Sequence, residues 1–210
     1  MPTITLDTTF NNDRIPKGPI TVAADNFVYA DGKTLIGKTT PVGGLVWTKI
    51  IVGTPADGDI KVQGSAAGPT FATGSSNRTF AFVDVARADG EIRAQLVAGG
   101  VGAALPFRAT DANNYLYVTW VNPGIWALYK RVAGTGTLVL SSSVVPAPGD
   151  VIDISAHGTL IKVSINGALA ITATVSEQAT ATLCGIGGQA AGPISVPTHQ
   201  WDNWKFSYTD

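Results

Sequence analysis

Charge is scarce in this sequence. Lys, Arg, Asp and Glu make up 14% of its 210 residues and leave a formal net charge of -1, against roughly 25% charged residues in an ordinary globular protein. No cluster of Lys and Arg is dense enough to track a phosphate backbone, which argues against a nucleic-acid partner. Low charge with 45% apolar residues also argues against a disordered chain, which needs the opposite balance. Cysteine is nearly absent: Cys184 stands alone, so no intrachain disulfide can form, and its place in the run TATLCGIGG reads as a small buried apolar residue. No apolar run reaches the roughly 20 residues of a membrane span, and MPTITLDTTFNNDR has no basic segment followed by an apolar core, so neither a membrane anchor nor a secretory signal is expected.

Two further scarcities bear on chemistry. The chain has two glutamates, Glu91 and Glu177, far apart in sequence. Glycoside hydrolysis needs two carboxyl groups about 5–10 Å apart across the scissile bond, and the nearest acidic alternation, Asp150-Val151-Ile152-Asp153, lacks a glutamate pair. The two histidines, His157 and His199, have no thiol or Gly-x-Ser-x-Gly elbow to serve and cannot with one cysteine make a zinc site. They read as surface or satisfied polar residues. No enzymatic activity is expected.

What the sequence has in quantity is strand. Runs of β-branched and aromatic residues occupy 45–53, 78–86, 91–99, 114–122, 125–133, 136–145, 151–156, 159–166, 168–175, 180–187 and 200–208, separated by turn residues and with no sustained helical periodicity. Ala88-Asp89-Gly90, Asn122-Pro123-Gly124 and Asn166-Gly167 each read as a hairpin turn; the last is the strongest, because a tight primed turn needs residues tolerant of positive φ. The pattern predicts an all-β, two-sheet antiparallel sandwich over residues 21–210, preceded by an arm at 1–20. Within the arm, Ile4, Leu6 and Phe10 alternate with Thr3, Thr5 and Asp7, which suits either a strand added to a partner's sheet or the domain's own first strand.

Asp25-Asn26-Phe27 opens the globular part and Asp202-Asn203-Trp204 nearly closes it. Should the first and last strands lie side by side, both aromatics can enter one core. The order Asp25-Asn26-Phe27, Ala30-Asp31-Gly32, Leu35-Ile36-Gly37 and Trp47, then Gly149-Asp150-Val151-Ile152, Gly158, Ile161, Val163, Asn166-Gly167, Gly185-Ile186-Gly187 and Asp202-Asn203-Trp204, resembles a concanavalin A-like (laminin-G-like) jelly-roll domain over roughly residues 22–208. Stand-alone versions of this kind resemble minor structural proteins, on tails or capsids, of actinobacterial tailed phages. The resemblance implies two antiparallel sheets, one concave, in a family that includes lectins, sugar-binding modules, hydrolases and virion decorations. Fold alone does not choose among them.

The resemblance also implies a structural Ca²⁺ where the chain ends meet, with Asp25 and Asp202 as its acidic ligands; the alternative is that both cap turns through backbone N–H groups. A binding surface is expected on strands 114–122 and 125–133. There Tyr115, Tyr117 and Thr119 share one face with Tyr129 and Arg131, while Leu116, Val118 and Trp120 turn to the core. The tyrosine set admits three readings: a sugar platform, cross-strand packing, or a protein interface. The expected function is a non-enzymatic virion protein, a minor tail or capsid decoration protein. Its partners would be phage capsid or tail proteins, it would be present in many copies or as a homo-oligomer, and it could bind a host cell-surface glycan. A carbohydrate-binding module or lectin is the alternative and a glycoside hydrolase the second. Weak net charge suits close packing of many copies.

Overall fold

The computed structural model describes residues 18–53, 58–71, 78–189 and 198–209. The expected arm therefore lies outside the described residues, apart from Gly18, Pro19 and Ile20, the last of which opens a strand. No helix occurs among the described residues, so none there is long and apolar enough to cross a membrane.

Strands are numbered in chain order. One sheet holds β1 (Ile20–Asp25), β3 (Gly58–Gln63), β4 (Ala66–Phe71), β6 (Gly90–Ala98), β11 (Val151–His157), β12 (Leu160–Ile165), β13 (Ala168–Thr174) and β15 (Gln200–Tyr208). The other holds β2 (Thr48–Val52), β5 (Arg78–Asp84), β7 (Ala103–Asp111), β8 (Asn114–Val121), β9 (Ile125–Val132), β10 (Thr135–Ser141) and β14 (Leu183–Gln189). The first runs in the order β13-β12-β11-β6-β15-β4-β3, with β1 also on β15; the second runs β10-β9-β8-β7-β14-β5-β2. All pairings are antiparallel. This is the two-sheet sandwich that the strand pattern predicts.

The period of two along each strand builds the core. In β6, Ile92, Ala94 and Leu96 turn inward while Glu91 and Arg93 face solvent. Across the sandwich, Leu105, Phe107, Leu116, Val118, Trp126 and Leu128 complete the same cluster. Cys184 is buried in it, and burial pushes its thiol well above the ordinary value, so it stays an inert apolar residue.

The two chain ends meet as their sequences suggest. Asp25 on β1 lies opposite Trp204 on β15, and Trp47 packs between Phe27 (5.9 Å between ring centroids) and Trp204 (5.0 Å, edge to face). A second buried carboxylate repeats the device at the far side of the sandwich. Asp150 accepts from the Trp126 indole N–H at 3.0 Å, the Ala147 N–H at 2.9 Å and the Asn166 amide at 2.9 Å.

Two expectations need correction. Ala88-Asp89-Gly90 does not close a hairpin: β5 and β6 lie in different sheets. The segment is an arch that carries the chain across the core. It is pinned by Arg108, whose guanidinium donates to Ala88 O, Gly158 O and Asp89 at 3.0, 2.6 and 2.8 Å. The strand list also omitted β1, β3, β4 and β7. In β7 the sequence signal is broken by Pro106 and Arg108, yet the strand is central. The proline is tolerated because the β7–β14 ladder skips between Leu183/Ala109 and Gly187/Ala104, where no N–H is needed from it. The Asn122-Pro123-Gly124 and Asn166-Gly167 turns do join paired strands, β8 to β9 and β12 to β13. Asn166 and Gly167 both have the positive φ (53° and 81°) that the turn requires.

Candidate functional site

The outward face of the seven-stranded sheet carries an aromatic row. Phe80 and Phe82 project from β5, Tyr115 and Tyr117 from β8, and Tyr129 from β9. Successive ring centroids stand 5.8 Å apart for Phe80–Phe82, 5.3 Å for Phe80–Tyr115, 5.3 Å for Tyr115–Tyr117 and 5.4 Å for the stacked pair Tyr117–Tyr129. Phe80 and Tyr115 belong to strands separated by β14 and β7, yet their rings touch. The outward positions between them make this possible: Gly185 and Gly187 on β14, and Ala104 and Pro106 on β7. A Cβ at Gly187 would stand 2.6 Å from the Phe80 ring and 2.2 Å from the Thr79 carbonyl. Glycine there leaves room for the rings to close over the sheet, edge to face, and bury one another.

The row is therefore closed at one end. Tyr115 is fully buried and Tyr117 nearly so, whereas Tyr129 is only partly covered. Of the five predicted binding residues, Tyr115 belongs to packing rather than to an accessible platform: a ring 0% exposed offers no face to a ligand. Arg131 pairs with Tyr115 across β8 and β9 and does not line the cleft described next.

Tyr117, Thr119 and Tyr129 do come together, at the open end, but Tyr117 (2% exposed) and Thr119 are buried, and of the three Tyr129 is the one with open ring surface. There a cleft of about 230 Å³ is bounded by these three with Arg78, Trp120, Asn122 and Gln189, and floored by Gly102 and Ala104. Arg78, at the start of β5, donates through Nε to Gln189 Oε1 at 3.0 Å and through Nη1 to the Tyr115 hydroxyl at 3.5 Å. Its guanidinium carbon stands 5.1 Å from the Tyr117 ring centroid, within reach of a cation–π attraction. Thr119 Oγ1 is committed to Ala103 O at 2.9 Å. Burial pushes the Tyr117 hydroxyl up to about 12, with the Arg78 charge opposing the shift, so it stays protonated at neutral pH. The floor is set by backbone: Gly102 N–H donates to Trp120 O at 2.9 Å, and Gln189 N–H to Gly102 O at 2.8 Å. The buried His199 ring donates through Nε2 to Gln189 O at 3.0 Å.

Arg78, Gln189, Trp120 and Asn122 were not among the expected site residues. Arg78 and Gln189 lie 111 positions apart and meet only because β14 pairs with β5. Trp120 was assigned to the core by alternation. It does pack on the core, 6.2 Å from Trp126, and it also reaches the cleft at the strand's end.

The acids lie elsewhere. Glu91 is on β6 beside His157, and Glu177 pairs with Lys130. Asp84 faces solvent and caps the Ala86 N–H at 2.9 Å, while Asp153 pairs with Arg93 at 3.0 Å. Among the described residues no carboxylate lines the cleft.

At the chain-end corner, Asp25 is buried and both of its oxygens face protein hydrogens. Oδ1 accepts from Phe27 N–H at 2.8 Å, and Oδ2 from the Tyr29 hydroxyl at 3.0 Å and the Trp47 indole at 2.8 Å. Burial raises its pKa against these three bonds. Asp202 accepts from Asn203 N–H at 2.6 Å and the Asn203 amide at 3.2 Å, and burial raises it too. Among the described residues no group of three metal-ligating side chains converges. Calcium takes about six to eight oxygen ligands; both Asp25 oxygens already accept hydrogen bonds from protein donors, so the turn-capping arrangement accounts for this carboxylate without a cation.

No family model and no curated protein matches the sequence. Solved structures do match the fold. The CBM2 module of an evolved Dit from Lactobacillus casei BL23 phage J-1 superposes with a TM-score of 0.58 at 10% identity, covering 93% of this chain and 98% of that one. Domain 4 of AbnA, an extracellular arabinanase from Geobacillus stearothermophilus solved with arabinotriose, gives 0.54 at 12% identity over 92% and 94%. A carbohydrate-binding module from Bacillus subtilis gives 0.51 at 16% identity over 78% and 92%. At these identities the likeness establishes the fold, a jelly-roll sandwich shared with carbohydrate-binding modules.

Proposed function

We propose that the protein is a non-enzymatic carbohydrate-binding module whose cleft at Arg78, Tyr117, Trp120, Asn122, Tyr129 and Gln189 receives a short saccharide. The observation that carries this reading is the cleft itself: aromatic surface beside a guanidinium, two carboxamides and phenol hydroxyls, all on one rigid sheet face. Sugars present apolar C–H faces and polar hydroxyl rims, and a largely preformed site of mixed aromatic and polar lining meets both. At about 230 Å³ the cleft is below the roughly 300–1,000 Å³ of drug-sized sites and suits one or two sugar rings. The binding-module neighbours support the same reading.

We further propose that the module works on a phage particle, as a tail or decoration protein present in many copies. One observation favours this: the phage J-1 Dit module is among the matching folds and is covered almost end to end. Isothermal titration against saccharides chosen from a glycan array tests the main reading. Binding should weaken at least tenfold in Tyr129→Ala and in Asn122→Ala while the melting temperature holds. Absence of any saccharide ligand, or binding indifferent to both substitutions, would overturn it.

A further inference from the structure

The cleft holds a charge that neutral-sugar recognition does not need. Among the described residues Arg78 has no acidic partner. Its bonds go to a carboxamide oxygen and a phenol hydroxyl, both neutral. Arg131, across the sheet from Tyr115, likewise has no acidic partner there, and its Nε is buried without an acceptor. Both charges act on the Tyr115 and Tyr117 hydroxyls. Arg93 and Arg108 are paired with acids, Asp153 and Asp89, whereas Arg87, like Arg78, lies over a tyrosine ring, but alone and away from the cleft. In a chain only 14% charged and net -1, two uncompensated guanidiniums beside one tyrosine row form a local positive field. Among the described residues no acid lines the cleft to cancel it.

We propose that the cleft selects saccharides carrying a carboxylate or phosphate group, with Arg78 as the side chain that takes the anion. The inference rests on the carbohydrate-binding reading and narrows it. Arg78 is already oriented by Gln189 and by the Tyr117 ring, so little side-chain entropy remains to be lost when a ligand arrives. A guanidinium presents a planar fork that matches two oxygens of a carboxylate or phosphate. Partial burial reduces screening of the pair.

The test compares acids with their neutral forms on the intact protein. Trigalacturonate is titrated beside its trimethyl ester, and glucose 6-phosphate beside glucose. At least one acid should bind roughly tenfold or more tightly than its neutral form, the size expected for a charge-assisted bond. The gap should narrow as NaCl rises from about 0.05 to 0.5 M. It should vanish in Arg78→Met and partly return in Arg78→Lys. Which acid wins tells carboxylate from phosphate. Equal binding of acid and neutral forms, or a gap that persists in a folded Arg78→Met protein, overturns the inference while leaving carbohydrate binding intact. Failure of these ligands and of every neutral saccharide on a glycan array overturns both. Should Arg78→Met not fold, the wild-type comparison of acid with ester decides by itself.

Discussion

The aromatic row on the seven-stranded sheet holds tyrosines toward both its closed and its open end, Tyr115 and Tyr129, set on different ground. Under Phe80 and Tyr115 lie Gly185, Gly187, Ala104 and Pro106, and the rings meet edge to face and bury one another. At the other end Tyr129 stands beside Trp120, Asn122 and the sheet margin, and a cleft remains. A tyrosine on a sheet face is thus buried or left open according to the size of the residues on neighbouring strands. Its own identity and its own strand do not decide it. One end contributes stability and the other leaves surface for recognition.

Substituting the two ends separately should break the row into those roles. Tyr115→Ala removes a fully buried ring, and by analogy with other buried aromatics should cost about 3–5 kcal/mol in denaturant unfolding. Tyr129→Ala, on a partly covered ring, should cost less than about 1 kcal/mol while removing most saccharide affinity. Equal stability losses at the two positions would show that the row is one continuous cluster and that the division into closed and open ends is wrong.

The sequence made one half of this arrangement legible. Alternation assigned Leu116, Val118 and Trp120 to the core and Tyr115, Tyr117 and Tyr129 to the opposite face, because side-chain direction in a strand is local. The pairing of Asp25-Asn26-Phe27 with Asp202-Asn203-Trp204 was also visible, since each tripeptide carries its own cap and its own aromatic. What could not be read was anything set by strand order. That Phe80 would reach Tyr115, that Arg78 would meet Gln189, and that Ala88-Asp89-Gly90 would cross between sheets all depend on which strands become neighbours. Pro106 and Arg108 hid a central strand because their compensation, a skipped ladder and a set of carbonyl acceptors, comes from elsewhere in the chain.

A smaller effect should appear beneath the open end. His199 is buried, its Nε2–H serves Gln189 O, and its Nδ1 has no partner. Burial pushes its imidazole below the ordinary value near 6.5. In the unfolded chain the ring takes a proton as pH falls through about 6.5, whereas the folded ring does not. The native state therefore loses stability as pH drops from about 7 toward its lower folded pKa. Asp25 and Asp202, both raised by burial, act in the opposite sense: the folded forms take a proton more readily than the unfolded above about 3.8, so they stabilise as pH falls. The difference between wild type and His199→Gln isolates the histidine. The substituted protein should show a flatter stability profile between pH 7 and 5, and parallel profiles would mean that His199 is not held neutral under the cleft.

The smallest effect is expected at the chain-end corner, which is closed in the same sense as the Tyr115 end. Asp25 is surrounded by the Phe27 N–H, the Tyr29 hydroxyl and the Trp47 indole, and its oxygens are spent on hydrogens. Ca²⁺ binding there would compete with these three hydrogen bonds, at a cost of about 1–3 kcal/mol for each buried donor it displaced. Adding Ca²⁺ after chelation should therefore leave the melting temperature unchanged and produce no heat of binding. Asp25→Asn, which keeps an acceptor oxygen but loses the charge, should lower stability without creating any calcium response. A calcium-dependent rise in melting temperature that disappears in Asp25→Asn would show the corner opening to take a cation. The distinction would then rest on the cleft alone.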